Sequence, residues 1–122
     1  MRFIAPDTPL PADALVLDNT QDVLARADDV RRHAAVVLQF PKWTDGRAHS
    51  QAVLLRARVR HAGTLVATGQ VLADMLPLLR RCGFDTVQLR ADQREDDARR
   101  ALGYFDTHYQ TVPAERLAGA AR

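Results

Sequence analysis

Ala35-Val36-Val37-Leu38-Gln39-Phe40-Pro41 is the stretch on which the fold turns. Its first four residues are a short continuous apolar run, the pattern of a strand covered on both faces. Pro41 lacks the N–H that a ladder needs and stops the strand. Outward from this run, short apolar segments alternate with stripes of helical spacing. Upstream, Leu15-Val16-Leu17 reads as a strand ending at Asp18-Asn19. Val23, Leu24, Ala27 and Val30 then recur as one helical face, with Asn19 or Thr20 placed to cap it. Downstream, Val53, Leu54 and Ala57 begin a second stripe, with Ser50 as its expected N-cap. Thr64 to Thr68 is a third strand, followed by a helical face of Val71, Leu72, Met75, Leu76 and Leu79 that Gly83 closes. Pro77 either kinks this helix or marks its first turn. Thr86 to Leu89 is a fourth strand, and Ala98, Ala101, Leu102, Phe105 and Tyr109 form the last helical face.

Strands alternating with helices imply parallel pairing through right-handed crossovers. The expected fold class is therefore α/β: four successive βα units around a parallel sheet, either small and doubly wound or half-barrel-like. Residues 13–110 are expected to form this single domain, with 1–12 as an N-terminal extended segment and 111–122 as a C-terminal tail.

Composition narrows the function classes. With 122 residues, 47% of them hydrophobic, the chain suits one globular domain. Seventeen basic residues against fifteen acidic ones leave a net charge of +2, too near balance to be the footprint of a nucleic-acid or anionic-membrane binder. The single cysteine, Cys82, excludes an intramolecular disulfide, a multi-cysteine zinc site and a self-contained iron–sulfur cluster. His33, His49, His61 and His108 have no metal-ligand spacing, so no metal site is expected. No apolar stretch is long enough to cross a membrane, and Met1 to Pro11 has no apolar core of a signal peptide, which makes the cytoplasm the expected compartment. Lys42 is the only lysine beside sixteen arginines. GC-rich coding produces such a skew, and it makes the exception conspicuous.

In parallel α/β sheets, ligands bind beyond the carboxyl ends of the strands. The candidates there are Asp18 and Asn19, Lys42 through Ser50, Gly69 and Gln70, and Arg90 and Asp92. The second set, Lys42-Trp43-Thr44-Asp45-Gly46-Arg47 with Ser50 and Gln51, holds the only Lys and the only Trp. As an anion site, Lys42 and Arg47 would supply cations, a helix starting near Ser50 would add free N–H groups, and Gly46 would admit close approach of a ligand. As plain structure, Thr44-Asp45-Gly46 is a turn, Trp43 fills a gap and Lys42 pairs with Asp45. No Walker A or Gly-x-Gly-x-x-Gly pattern occurs.

A second cluster, Arg80-Arg81-Cys82-Gly83-Phe84-Asp85, suggests a thiol activated by two guanidinium groups. A helix end explains it better. Two cations complement the dipole, Gly83 takes the left-handed cap, Phe84 packs back, and the thiol is expected to be buried and inert. Arg56, Arg58 and Arg60 spread around a helix and read as a solvated surface, and Arg94 to Arg100 as a helix surface with internal ion pairs.

The run Phe40 to Arg47 with Ser50-Gln51-Ala52 and Leu54-Leu55-Arg56 resembles a bacterial domain-of-unknown-function family, number nine-thirty-four. Gly69, Val71-Leu72, Asp74, Arg80 to Asp85, and Tyr109-Gln110 follow in the family's order and spacing, so the resemblance spans about Asp13 to Gln110. The chain carries Ala48, His49 and Gln70 where members usually carry Gly, Tyr and Asp. Members are described as oxidoreductases of sulfite reduction, encoded beside genes of sulfate assimilation and cysteine biosynthesis. The chemistry qualifies that description. Six-electron sulfite reduction runs through a haem-type centre and an iron–sulfur cluster, which a chain with one cysteine cannot hold alone. The resemblance therefore implies an accessory protein that docks to a sulfite reductase or its electron donor, with the Lys42, Trp43, Arg47 edge as the contact and no cofactor of its own. The alternative is a small oxidoreductase or binding protein for a sulfur oxyanion or phosphosulfate at the Lys42–Ser50 loop. A flavin at the sheet edge is a weaker option, and a homodimer could cover an exposed edge strand.

Overall fold

The computed structural model describes the backbone of residues 1–110 and the side chains of residues 1–103. The central apolar run becomes β3 (Ala35–Phe40), flanked by β2 (Leu15–Leu17) and β4 (Thr64–Gly69). β5 (Thr86–Gln88) pairs with β4, and β1 (Arg2–Ile4) pairs outside β5. The sheet order is β1-β5-β4-β3-β2 and every pair is parallel. The sheet thus has five strands. The expectation of four strands missed β1, whose three residues lie in the segment expected outside the domain.

From β2 to β5 the chain steps across the sheet in one direction, and right-handed crossovers of that kind place their helices on a single face. The helices are α1 (Ala27–Arg31), α2 (Arg47–Ala57), α3 (Leu76–Cys82, entered through a 3₁₀ turn at Ala73–Met75) and α4 (Glu95–Gln110). Their buried residues Val30, Ala52, Leu55, Leu76, Leu79 and Ala98 join Leu17, Val36, Leu38, Phe40, Leu65, Ala67 and Val87 in one apolar core. Val37 and Val66 face the other way, outside that core, and are still fully buried. Their cover comes from residues 5–14, which link the two edge strands β1 and β2 across this second face. Leu10 shares a groove with Gln39 and Thr68, and Pro11 a smaller cavity with Val66 and Thr86. The helices on both faces that a doubly wound sheet requires are not found among the described residues.

Local chemistry moves two helix boundaries. α1 is shorter than the Val23–Val30 stripe suggests. Ala25 N–H and Arg26 N–H donate to the Asp22 and Val23 carbonyls, and the Asp22 carboxylate accepts from Leu24 N–H, so this segment closes as tight turns. α2 starts at Arg47 with Gly46 at its N-cap, and Ser50, expected as the cap, lies inside the helix with its N–H donating to the Gly46 carbonyl. Pro77 sits in the first turn of α3, where its missing N–H has no partner to lose. The tail at 111–122 lies outside the described residues.

Candidate functional site

The carboxyl ends of β2 and β3 come together around one carboxylate. Asp45 accepts from Arg47 N–H (3.0 Å), from Arg47 Nε (3.1 Å) and Nη2 (2.7 Å), and from Asn19 Nδ2 (2.9 Å). The Arg47 guanidinium and backbone N–H, helped by Asn19, hold the Asp45 carboxyl well below the usual carboxylate range. Asn19 is 5% exposed, so this bracket ties the loop after β3 to the end of β2. Gln51 extends it, its Nε2 donating to the Asp18 carbonyl (2.9 Å) and the Gln21 carbonyl (3.0 Å).

The bracket changes the roles expected of the loop residues. Arg47, expected as a cation for an anionic ligand, is already matched by Asp45. The alternative pairing of Lys42 with Asp45 does not form. The Lys42 ammonium has no hydrogen bond or ion pair among the described residues, and Trp43, expected to fill a gap if the loop were plain structure, is 55% exposed. Thr44 and Ser50 are exposed as well. Nothing lies within 4 Å of a Cβ built on Gly46, so no close backbone approach requires a glycine there. The result is a loop braced by the Asp45 bracket that presents an exposed lysine and an aromatic ring to solvent.

The second cluster lies at the opposite end of the sheet. Gly83 takes φ +113°, its N–H donates to the Arg80 carbonyl (3.1 Å) and Phe84 N–H to the Leu79 carbonyl (3.1 Å), the Schellman pattern. Burial pushes the Cys82 thiol up, with Arg81 opposing weakly, so the thiol stays protonated at neutral pH. The cluster's main partner is Arg56, which was expected to be a solvated surface residue. Its Nε donates to the Gly83 carbonyl (2.9 Å) and its Nη1 to the His61 (2.8 Å) and Gly63 (2.6 Å) carbonyls. Its Nη2 meets Asp85 at 3.3 Å. Asp85 in turn accepts from Leu65 N–H (3.2 Å) and Thr86 Oγ1 (3.1 Å), and its carbonyl from Arg2 N–H (2.8 Å). The Leu54-Leu55-Arg56 and Arg80–Asp85 motifs thus meet as one staple at the amino ends of β1, β4 and β5. Spacing alone carried no signal for it, because most of the acceptors are backbone carbonyls.

Between α2 and α3 runs an apolar groove of about 420 Å³ lined by His49, Ser50, Val53, Leu54 and Cys82. It brings Ser50 from the first cluster together with Cys82 from the second. His49 stacks edge-on against Phe40, with ring centroids 5.0 Å apart, and its Nε2 is buried with no hydrogen-bond partner among the described residues. The same is true of His61 Nε2. Burial pushes both imidazoles below their ordinary value of 6.5. Between that value and the lowered folded ones, the unfolded chain binds more protons, so stability falls as pH falls through the window. The urea midpoint is expected to drop between pH 7.5 and pH 5, and to drop less in a His49→Phe, His61→Phe double variant. Asp29, Asp45 and Asp92, all shifted below 3.8, act only at lower pH. A flat midpoint from pH 7.5 to 5 would contradict this account.

Among the described residues no group of three or more His, Cys, Asp or Glu could hold a metal ion, and no helix is long and apolar enough to cross a membrane. The family model described as a bacterial protein of unknown function (DUF934) matches residues 14–118, which takes in β2 through α4 and leaves β1 and the covering segment outside. No curated protein and no solved structure matches the chain.

Proposed function

The chain belongs to the DUF934 family, and from that premise we propose that it is an accessory docking protein, with the Lys42–Arg47 loop as its contact edge. The observation that carries this reading is Trp43, 55% exposed on a loop that the Asp45, Arg47 and Asn19 bonds hold rigid. Solvent exposure of a large ring is unfavourable in an isolated chain, whereas Trp on a preorganised loop is a strong interface anchor. Lys42 beside it, with no ion pair among the described residues, favours an acidic rim on the other surface. The resemblance drawn from the sequence points to a sulfite reductase or its electron donor as the partner.

The test is co-purification with a sulfite reductase and its electron-supplying protein, together with a reconstituted reductase assay. The double variant Lys42→Ala, Trp43→Ala is expected to weaken association by tenfold or more, about 1.4 kcal/mol, with an unchanged urea midpoint. No association by the parent chain, or equal association by the variant, would sink the proposal. The anion reading is weaker because Asp45 already neutralises Arg47. It would gain only if sulfate or sulfite raised the melting temperature of the parent chain and not of Lys42→Ala.

A further inference from the structure

The register of the sheet lines up residues that the linear sequence keeps far apart. Leu17 pairs with Leu38, Leu38 with Ala67, and Ala67 with Val87, a row that faces the helices. One residue further along each strand, on the opposite face, stand Asp18, Gln39, Thr68 and Gln88. Gln39 pairs directly with Thr68, and Thr68 Oγ1 donates to Gln88 Oε1 (2.9 Å). The row beneath, on that same face, is Val16, Val37, Val66 and Thr86. A polar row therefore runs over β3, β4 and β5 at their carboxyl ends, with Asp18 directly after β2 beside it, on the face that no helix among the described residues covers.

Half of the row has a structural task. Gln88 Nε2 donates to the Ala5 and Thr8 carbonyls, 2.9 Å each, and so anchors the segment that covers the sheet. The other half is bonded only in part. The Gln39 side chain makes no hydrogen bond among the described residues, although it is the only polar residue of β3. Asp18 Oδ1 accepts from Thr20 N–H and Oγ1, and Oδ2 has no hydrogen-bond partner among the described residues. Asp18, Gln39 and Thr68 line one groove of about 460 Å³, walled by Leu10 and Pro41 and floored at Gly69. That volume suits a small ligand, and the carboxyl ends of parallel strands are where such ligands sit.

We infer that this groove is a binding site for a small, non-anionic molecule offering two or more hydrogen-bond donors, of the sugar-diol or amine class. The chemistry of the lining selects that class. Asp18 offers a carboxylate oxygen, Thr68 has given its proton to Gln88 and offers lone pairs, and Gln39 offers a carbonyl with one amide group beside it. Among the described residues no cationic side chain lines the groove and Asp18 is its only charged one, so sulfate, phosphate and carboxylate ligands find no cation on its walls. Leu10 and Pro41 supply apolar walls for a carbon skeleton. The site is independent of the Trp43 edge, although Pro41 joins the two.

Titration of the ¹⁵N-labelled full chain, followed by ¹H–¹⁵N correlation spectra, tests the inference with three probes: D-ribose, ethanolamine hydrochloride and sodium sulfate. Ribose, ethanolamine or both are expected to move the amides of Asp18, Gln39, Thr68 and Gly69 saturably. Sulfate is expected to leave them in place at matched ionic strength. Gln39→Leu, which removes no internal hydrogen bond, should weaken the active probe by tenfold or more, as should Asp18→Asn. Trp43→Ala should leave binding unchanged, which separates failure of this site from failure of the docking edge. The inference is overturned if neither donor probe moves these amides, if sulfate moves them, or if Gln39→Leu binds as the parent chain does.

Discussion

Replacing Arg56 by alanine is expected to lower the unfolding free energy by about 3–5 kcal/mol, a large part of the roughly 5–15 kcal/mol available to a domain of this size. The side chain is 25% exposed and its guanidinium bonds three backbone carbonyls and the Asp85 carboxylate. Truncation leaves the Gly83, His61 and Gly63 carbonyls without that donor, and an unmet buried acceptor costs more than an average hydrogen bond contributes. Arg56→Lys should recover less than half of the loss, because one ammonium cannot span acceptors spread over a planar fork. A coupled effect is expected at Gly83. A Cβ there would stand 2.5 Å from Arg56 Cγ, so Gly83→Ala should cost more in the parent chain than in an Arg56→Ala background. Urea unfolding of the five proteins, the parent included, measures all three effects. Equal midpoints for the parent and Arg56→Ala would remove the staple from this account.

The strands β2 to β5 were legible because each is an apolar run of strand length bounded by turn residues, and so was their parallel pairing, which follows from helical stripes between them, whereas their order across the sheet was not. β1 was not legible. Arg2-Phe3-Ile4 is too short to show a period, and its place is decided by Arg2 N–H reaching the Asp85 carbonyl from the far end of the chain. The Lys42–Arg47 loop could be placed at a strand's carboxyl end from the pattern alone. Which cation Asp45 takes could not, since Lys42 and Arg47 lie within three residues on either side of it. The choice falls to geometry: Asp45 also accepts Arg47 N–H, an arrangement in which the guanidinium closes back on the same carboxylate. The polar row is hidden for a different reason. Asp18 is a candidate from its place after a strand, but Gln39, Thr68 and Gln88 are unremarkable singly, and only the folded sheet makes the four neighbours.

Gly69→Ala is expected to cost about 2–4 kcal/mol, through a backbone contact and a strained φ together. Gly69 holds φ +100°, a conformation that an L side chain enters with strain. A Cβ there would also stand 2.5 Å from the Phe40 carbonyl oxygen and 3.2 Å from its carbon. Both are backbone atoms of the neighbouring strand, so no side-chain rotation relieves the contact. The Phe40 carbonyl is the acceptor of Gln70 N–H at 2.7 Å, and Phe40 with Gly69 is the last pair of the β3–β4 ladder. Relief therefore has to come from parting the two strands where Pro41 and Lys42 begin. The displacement would reach both proposed sites, because Gly69 floors the groove and Phe40 leads into the loop that bears Trp43. Gly46→Ala is the matching control. Gly46 has an ordinary φ of −86° and open space around it, so its change should stay within about 0.5 kcal/mol. Chemical denaturation separates the two variants. If Gly69→Ala unfolds with the midpoint of Gly46→Ala, the contact with Phe40 does not constrain the carboxyl end of the sheet, and the rigidity assigned to the Lys42–Arg47 loop would rest on the Asp45 bracket alone.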